Sequence, residues 1–157
     1  MSDDRKKVLW IDNDTGQIVP YEVALRQAGF HVTVVPTVSE GEALVASDNF
    51  ALVILDVMIS VTEEEEAGEY KPEETANTYK TGLVFYARVK AKLNELNTPA
   101  VVMTVRNDQQ IANEFVAAGL PADCLFRKFE VREAHVFVDR IRAVLRRYAV
   151  SPEVESR

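Results

Sequence analysis

A single cysteine, Cys124, stands in 157 residues, so no internal disulfide can form and the composition fits a reducing cytoplasm. No apolar run approaches the ~20 residues that a membrane span requires, and the opening residues MSDDRKK offer no secretory h-region. Positive charge is the scarcer sign: 18 Lys and Arg face 25 Asp and Glu, a net charge of −7. Like-charge repulsion then excludes nucleic acid and anionic membranes as main partners. The two histidines, His31 and His135, lack the spacing of a metal pair or a triad and read as structural or surface residues. There is no internal repeat. What remains is a chain 47% hydrophobic and 27% charged, long enough for one domain over residues 1–150 with a frayed tail at 151–157.

Short apolar segments alternate with helical patterns. KVLWI (7–11) reads as a strand and ends on Asp12-Asn13-Asp14. A helix then reaches about Ala28, with Pro20 tolerable only near its first turns and Gly29 as the stop. HVTVV (31–35) is a second strand; Thr37 with Glu40 three residues later forms a capping box for the next helix. ALVIL (51–55) is a third strand. A long polar stretch follows it, then a helical pattern over 81–96 and a fourth strand, AVVMT (100–104). Asp108 is a candidate N-cap for a helix over 109–118 that stops at Gly119. CLFRK (124–128) reads as a fifth strand, and a last helix spans 133–148. Strands of this kind, alternating with helices, predict an open parallel sheet covered on both faces.

In ALVILDVMIS, the carboxylate of Asp56 interrupts an otherwise apolar run. An open parallel sheet accounts for it, because functional groups gather beyond the carboxyl ends of the strands. Asp12, Asn13 and Asp14 end the first strand, Asp56 the third, Thr104 the fourth and Lys128 the fifth. Carboxylates suit Mg²⁺, which takes one or two of them together with phosphate oxygens. A central carboxylate can attack phosphorus to give an aspartyl phosphate. A hydroxyl and an ammonium can hold the remaining phosphoryl oxygens.

Taken together, VLWIDND, LVILDVMIS, TPAVVMT and AAGLPADCLFRKF resemble, in the right order, the motifs of the receiver domain of two-component response regulators. The resemblance covers about residues 6–146. It implies a flavodoxin-like three-layer α/β/α sandwich with strand order 2-1-3-4-5 and a long insertion after strand 3. It also implies that Asp56 accepts a phosphoryl group from a histidine kinase or phosphotransfer protein. Mg²⁺ would bridge Asp12, Asp56, the backbone carbonyl of Met58 and the phosphate, with Asn13 or Asp14 as the second acidic-pair position. Thr104 and Lys128 would close on the phosphoryl group, repacking the face made by the 109–118 helix, the fifth strand and the last helix for a downstream target protein. Any catalysis would be limited to autophosphorylation and autodephosphorylation, and with no output domain on the chain the signal passes by non-covalent contact.

The chain departs from the family at several places. Asn13 replaces the second acid, Ser60 a proline, and Phe129 the proline after the lysine, which bears on the cis bond expected there. Leu125 holds the usual aromatic switch position, three residues before Lys128, which argues against a ring-flip readout. The stretch 61–82, VTEEEEAGEYKPEETANTYKTG, is far longer than the family's loop; its Glu-rich composition with Gly68 and Pro72 predicts a solvated, mobile insertion. The EEEE run reads as solvated charge rather than as a metal site.

Each site residue has an ordinary alternative. Asp12 or Asp14 can be a helix N-cap, Thr104 a strand-end hydroxyl and Lys128 an exposed charge. The arginines of DRIRAVLRRY read as a solvated face near a helix C-terminus, where positive charge is favoured. Two functional rivals remain. One is a pseudo-receiver adaptor that keeps the fold without the chemistry. The other is an aspartate-nucleophile phosphatase of the haloacid dehalogenase type, faintly matched by IDNDTG but with Gly16 in place of its Thr or Val and no role for Asp56.

Overall fold

The computed structural model describes residues 6–57, 59, 61–72, 80–104 and 109–155. Five strands, β1 (Lys7–Ile11), β2 (His31–Val35), β3 (Leu52–Asp56), β4 (Ala100–Thr104) and β5 (Leu125–Arg127), pair in parallel in the order β2-β1-β3-β4-β5. The described helices are α1 (Thr15–Gln27), α2 (Val38–Ser47), α3 (Glu63–Ala67), α4 (Thr81–Leu96), α5 (Gln109–Ala117) and α6 (Ala134–Glu155). The result is a flavodoxin-like sandwich with helices on both faces of the sheet.

Burial explains the strand sequences. Leu52 to Leu55 and all five residues of β4 are buried, as in a parallel sheet covered on both sides. β2 lies at the edge, and there His31 and Thr33 are exposed. On one face α1 packs against α6 around Phe137, whose ring meets Tyr21 at 5.0 Å, Trp10 at 5.6 Å and Phe126 at 6.1 Å. On the other, α2 packs against α4, and a Cβ on Gly41 would stand 2.9 Å from the Ile11 side chain. Each large side chain removed from water contributes about 1.5–3 kcal/mol.

Gly29 and Gly119 end α1 and α5 with φ of 98° and 112°, a left-handed conformation in which a Cβ is strained. Thr37 caps α2 by accepting the Glu40 amide at 3.2 Å, but the Glu40 carboxylate meets the Thr37 hydroxyl instead of closing the box on the backbone. Pro20 is the sixth residue of α1, within its second turn, as the sequence reading allowed. The Gly16 carbonyl thereby loses its usual amide donor; both residues are exposed, so water can take its place. The fifth strand is shorter than CLFRK, because Cys124 closes one 3₁₀ turn and Lys128 opens another. The last helix is longer than 133–148 and runs through Glu155, so the stretch predicted to fray is helical as far as that residue. The proposed N-cap Asp108 lies outside the described residues.

The insertion differs most from expectation. Thr62 caps α3 in a full capping box with Glu65: Thr62 Oγ1 accepts the Glu65 amide at 3.1 Å and Glu65 Oε1 accepts the Thr62 amide at 2.9 Å. Glu65 is only 8% exposed, and its other oxygen accepts the amide of Ser39 at 2.8 Å and the Ser39 hydroxyl. Tyr70 is 3% exposed and donates its hydroxyl to Glu42, while Arg88 on α4 reaches Glu42 at 2.9 Å and Glu69 at 3.0 Å. Residues 61–72 are thus tied to α2 and α4 through the buried Glu65 and Tyr70, while Glu63, Glu64, Glu66 and Glu69 stay exposed. A Glu-rich composition misleads here because one of its glutamates is buried with its carboxylate satisfied by three donors.

Candidate functional site

Strand register assembles the site. Ile11 pairs with Leu55, so Asp12 follows β1 beside Asp56, the last residue of β3. Asp56 pairs with Met103, placing Thr104 one step beyond it on β4. Thr104 pairs with Arg127, placing Lys128 one step beyond β5. Four adjacent strands therefore deliver Asp12, Asp56, Thr104 and Lys128 to one carboxyl edge.

Each position is fixed by local structure. Asp12 is 1% exposed; its amide donates to the Val35 carbonyl at 3.1 Å, and its Oδ1 accepts the Asp14 amide at 2.9 Å. Burial raises the Asp12 carboxyl above its ordinary range. The Asp14 amide and the positive charge of Lys128 pull it back, and the Asp14 charge raises it further. Buried carboxylate and lysine therefore sense each other across the sheet edge. Asp56 is half-buried, Thr104 is 2% exposed, and Lys128 is half-buried at the start of its 3₁₀ turn.

Asn13 and Asp14 are exposed. Asp14 occupies the N-cap position of α1 without a side-chain capping bond, so its carboxylate is not spent on the helix. Leu125 is buried in β5, whereas Phe129, next to Lys128, is 50% exposed. There are no cis peptide bonds among the described residues. Met58 and Ser60 lie outside them. His31 and His135 are exposed. The arginines of α6 do more than face solvent: Arg140 lies 4.2 Å from the Phe126 ring centroid, and Arg147 reaches Asp123 and the Cys124 sulfur.

One residue at this edge escaped the sequence reading. Gly82, at the start of α4, donates its amide to the Val57 carbonyl at 2.8 Å, and a Cβ there would stand 2.4 Å from the Asp56 carbonyl oxygen. Its signal was a glycine near the start of a strongly patterned helix, where close backbone approach is a standing explanation. Beside it, Thr81 is fully buried and its hydroxyl has no hydrogen-bond partner among the described residues.

The donor chemistry fits Mg²⁺. A buried carboxylate with a raised pKa is a charge that burial opposes and a cation would stabilise. Among the described residues there is no group of three or more His, Cys, Asp or Glu able to hold a metal. Two carboxylates at one edge match an ion that keeps several waters and takes its other oxygens from a phosphoryl group.

Comparison with known proteins agrees on the fold. No family model and no curated protein matches the sequence. Solved structures do match. The receiver domain of a putative LuxO repressor protein from Vibrio parahaemolyticus superposes with a TM-score of 0.71 at 15% identity, over 96% of this chain and 98% of that one. A CheY-like receiver domain protein from Methanospirillum hungatei gives 0.68 at 15% identity, over 93% and 98%. HP1043, an orphan response regulator of H. pylori, gives 0.65 at 20% identity, over 90% and 98%. The chain has the CheY-like fold of response regulator receiver domains along most of its length.

Proposed function

We propose that the protein is a receiver of two-component signalling in which Asp56 accepts a phosphoryl group from a histidine kinase or phosphotransfer protein. In that reaction an Asp56 carboxylate oxygen attacks phosphorus, an O–P bond forms, and the N–P bond of a donor phosphohistidine protonated on its other ring nitrogen breaks, so that neutral imidazole leaves. Asp12 and Asp56, with the Met58 carbonyl, would hold Mg²⁺, which neutralises charge on the transferring group. Thr104 offers a hydroxyl and Lys128 an ammonium to the phosphoryl oxygens. A downstream protein then reads the altered surface, in the cytoplasm. The observation that carries this reading is the convergence of Asp12, Asp56, Thr104 and Lys128 at one sheet edge, with Asp12 and Lys128 close enough to interact electrostatically. Phe129, exposed beside Lys128, gives a phosphodonor an apolar foothold at that edge.

Incubation with acetyl phosphate and Mg²⁺, followed by intact-mass and peptide mass spectrometry, tests the proposal. A single phosphoryl adduct on Asp56, absent from a folded Asp56→Asn variant, is the expected result. Absence of an adduct at saturating donor would instead indicate a phosphorylation-independent adaptor, the reading favoured by Asn13 in place of an acid. Phosphate turnover through Asp12 would indicate a phosphatase.

A further inference from the structure

The opposite end of the sheet carries a second feature. Lys6, just before β1, Phe30, just before β2, and Arg142, Leu145 and Arg146 on α6 line an open groove of about 500 Å³. Lys6 lies over the Phe30 ring, 5.6 Å from its centroid. The groove therefore has three cations around an apolar floor, in a chain whose net charge is −7.

The usual reason for basic residues late in a helix does not apply. α6 continues through Glu155, so Arg142 and Arg146 are its ninth and thirteenth residues of 22, outside the last turn where the helix dipole favours positive charge. Nor are they neutralised. Arg140 and Arg147 on the same helix reach Glu130 and Asp123, whereas Arg142 and Arg146 have no ion pair among the described residues, and neither has Lys6. Arg142 and Arg146 are spaced i, i+4, which puts both guanidinium groups on one side of the helix. Arginine forks match carboxylates two bonds at a time.

The geometry points to a docking site for an acidic segment of a partner protein that carries an apolar anchor. Its carboxylates would meet Lys6, Arg142 and Arg146, and the anchor would cover Phe30 and Leu145. The groove is open along the surface, which suits an extended chain; a small molecule needs a cleft that buries most of its own area. Overall repulsion from an acidic protein is screened beyond about 8 Å at physiological salt, so the local positive charge governs close approach. This inference does not use Asp56 chemistry and stands apart from it.

The test uses the full chain and a fluorescein-labelled peptide, acetyl-Glu-Glu-Leu-Phe-Glu-Glu-amide, followed by anisotropy. Saturable binding is expected, weakened at least about tenfold in the Arg142→Ala/Arg146→Ala double variant and in the peptide with every Glu replaced by Gln. Arg132→Ala, a change of an exposed cation elsewhere, should leave it unchanged. Circular dichroism should show the double variant folded, since both side chains are exposed. No binding up to about 1 mM peptide, equal binding by the double variant or equal binding of the Gln peptide would overturn the proposal. Displacement by inorganic phosphate at peptide-like concentrations would reduce the groove to a general anion patch and overturn it too. So would self-association in sedimentation that disappears with Glu63→Gln/Glu64→Gln/Glu66→Gln, which would assign the groove to a second copy of this chain.

Discussion

Gly82 lies against Asp56 so closely that a Cβ on the glycine would stand 2.4 Å from the Asp56 carbonyl oxygen. The Gly82 amide also holds the Val57 carbonyl at 2.8 Å, so the start of α4 is clamped onto the backbone of the proposed phosphoacceptor. The backbone on either side of the insertion is thereby joined at its base, and of the insertion itself the described residues Glu65 and Tyr70 bond to Ser39 and Glu42 on α2.

That contact makes Gly82→Ala costly. The clash is with backbone, which cannot swing away as a side chain can, so overpacking should lower stability by about 1–3 kcal/mol in urea unfolding. It should also lower the rate of Asp56 phosphorylation by displacing the strand end. Gly68→Ala is the control: a Cβ there would meet only ordinary contacts at 3.6 Å and 3.8 Å, and the change should stay within about 0.5 kcal/mol. Equal effects of the two substitutions would show that the close approach at Gly82 has no energetic weight.

The packed half of the insertion should carry stability of its own. Tyr70 is nearly fully buried, and truncating a buried aromatic to alanine costs about 3–5 kcal/mol, less where the site is near the surface and can collapse. Tyr70→Ala should therefore cost about 2–3 kcal/mol. Replacing residues 63–72 by a Gly/Ser linker should cost at least as much. Thermal unfolding checks both. An unchanged midpoint for the linker variant would return the segment to the solvated loop that its composition implies.

How much of this was legible depends on the kind of signal. The strands themselves and the residues Asp12, Asp56, Thr104 and Lys128 at their carboxyl ends could be read because apolar runs, their polar ends and the turn signals between them are local and strong, whereas the sheet order came only from the family resemblance. Glu65 could not be read, because a glutamate among three others gives no sign of which one finds the Ser39 amide across 26 residues of chain. Its capping box with Thr62 follows the local T-x-x-E pattern, a signal the sequence reading did not use. Strand β5 was overextended for a similar reason. Apolar Cys124 and the aliphatic stem of Lys128 continue the pattern, while the backbone at both has already turned.

Glu65 should also make stability pH-dependent. Burial raises its carboxyl, but hydrogen bonds from the Ser39 and Thr62 groups outweigh that, and the carboxyl ends below its ordinary value. A group depressed in the folded state contributes stability above its unfolded pKa and loses it as pH falls through the folded value. Stability should therefore drop on acidification below the ordinary glutamate range near ~4.3, and Glu65→Gln should flatten that part of the profile. Chemical denaturation between about pH 6 and pH 3 reads both arms. Identical profiles for the two proteins would remove Glu65 from the account. Asp12 has the opposite sign: its raised carboxyl favours the folded state at low pH, and this contribution is lost as pH rises through its folded pKa.

The same buried charge sets the expectation for metal. Asp12 ionised in the fold without a cation is a cost, so Mg²⁺ should raise the unfolding temperature of the native protein, following mass action, and have little effect on Asp12→Asn. The second acid is harder to place, because Asn13 occupies the family's position while the carboxylate of Asp14 is exposed and makes no cap. Replacing an amide by a carboxylate near a divalent ion, at a partly solvated site, should tighten binding by about 1–2 kcal/mol, or roughly tenfold. Asn13→Asp should therefore strengthen Mg²⁺ binding in calorimetry and speed phosphorylation when Mg²⁺ is limiting. Asp14→Asn should weaken binding less than Asp12→Asn does, since Asp14 gives its amide to the Asp12 carboxylate whatever its side chain. If Asn13→Asp leaves the affinity unchanged while Asp14→Asn abolishes binding, the acidic pair is Asp12 with Asp14, and the metal sits one residue further along the chain than the resemblance places it.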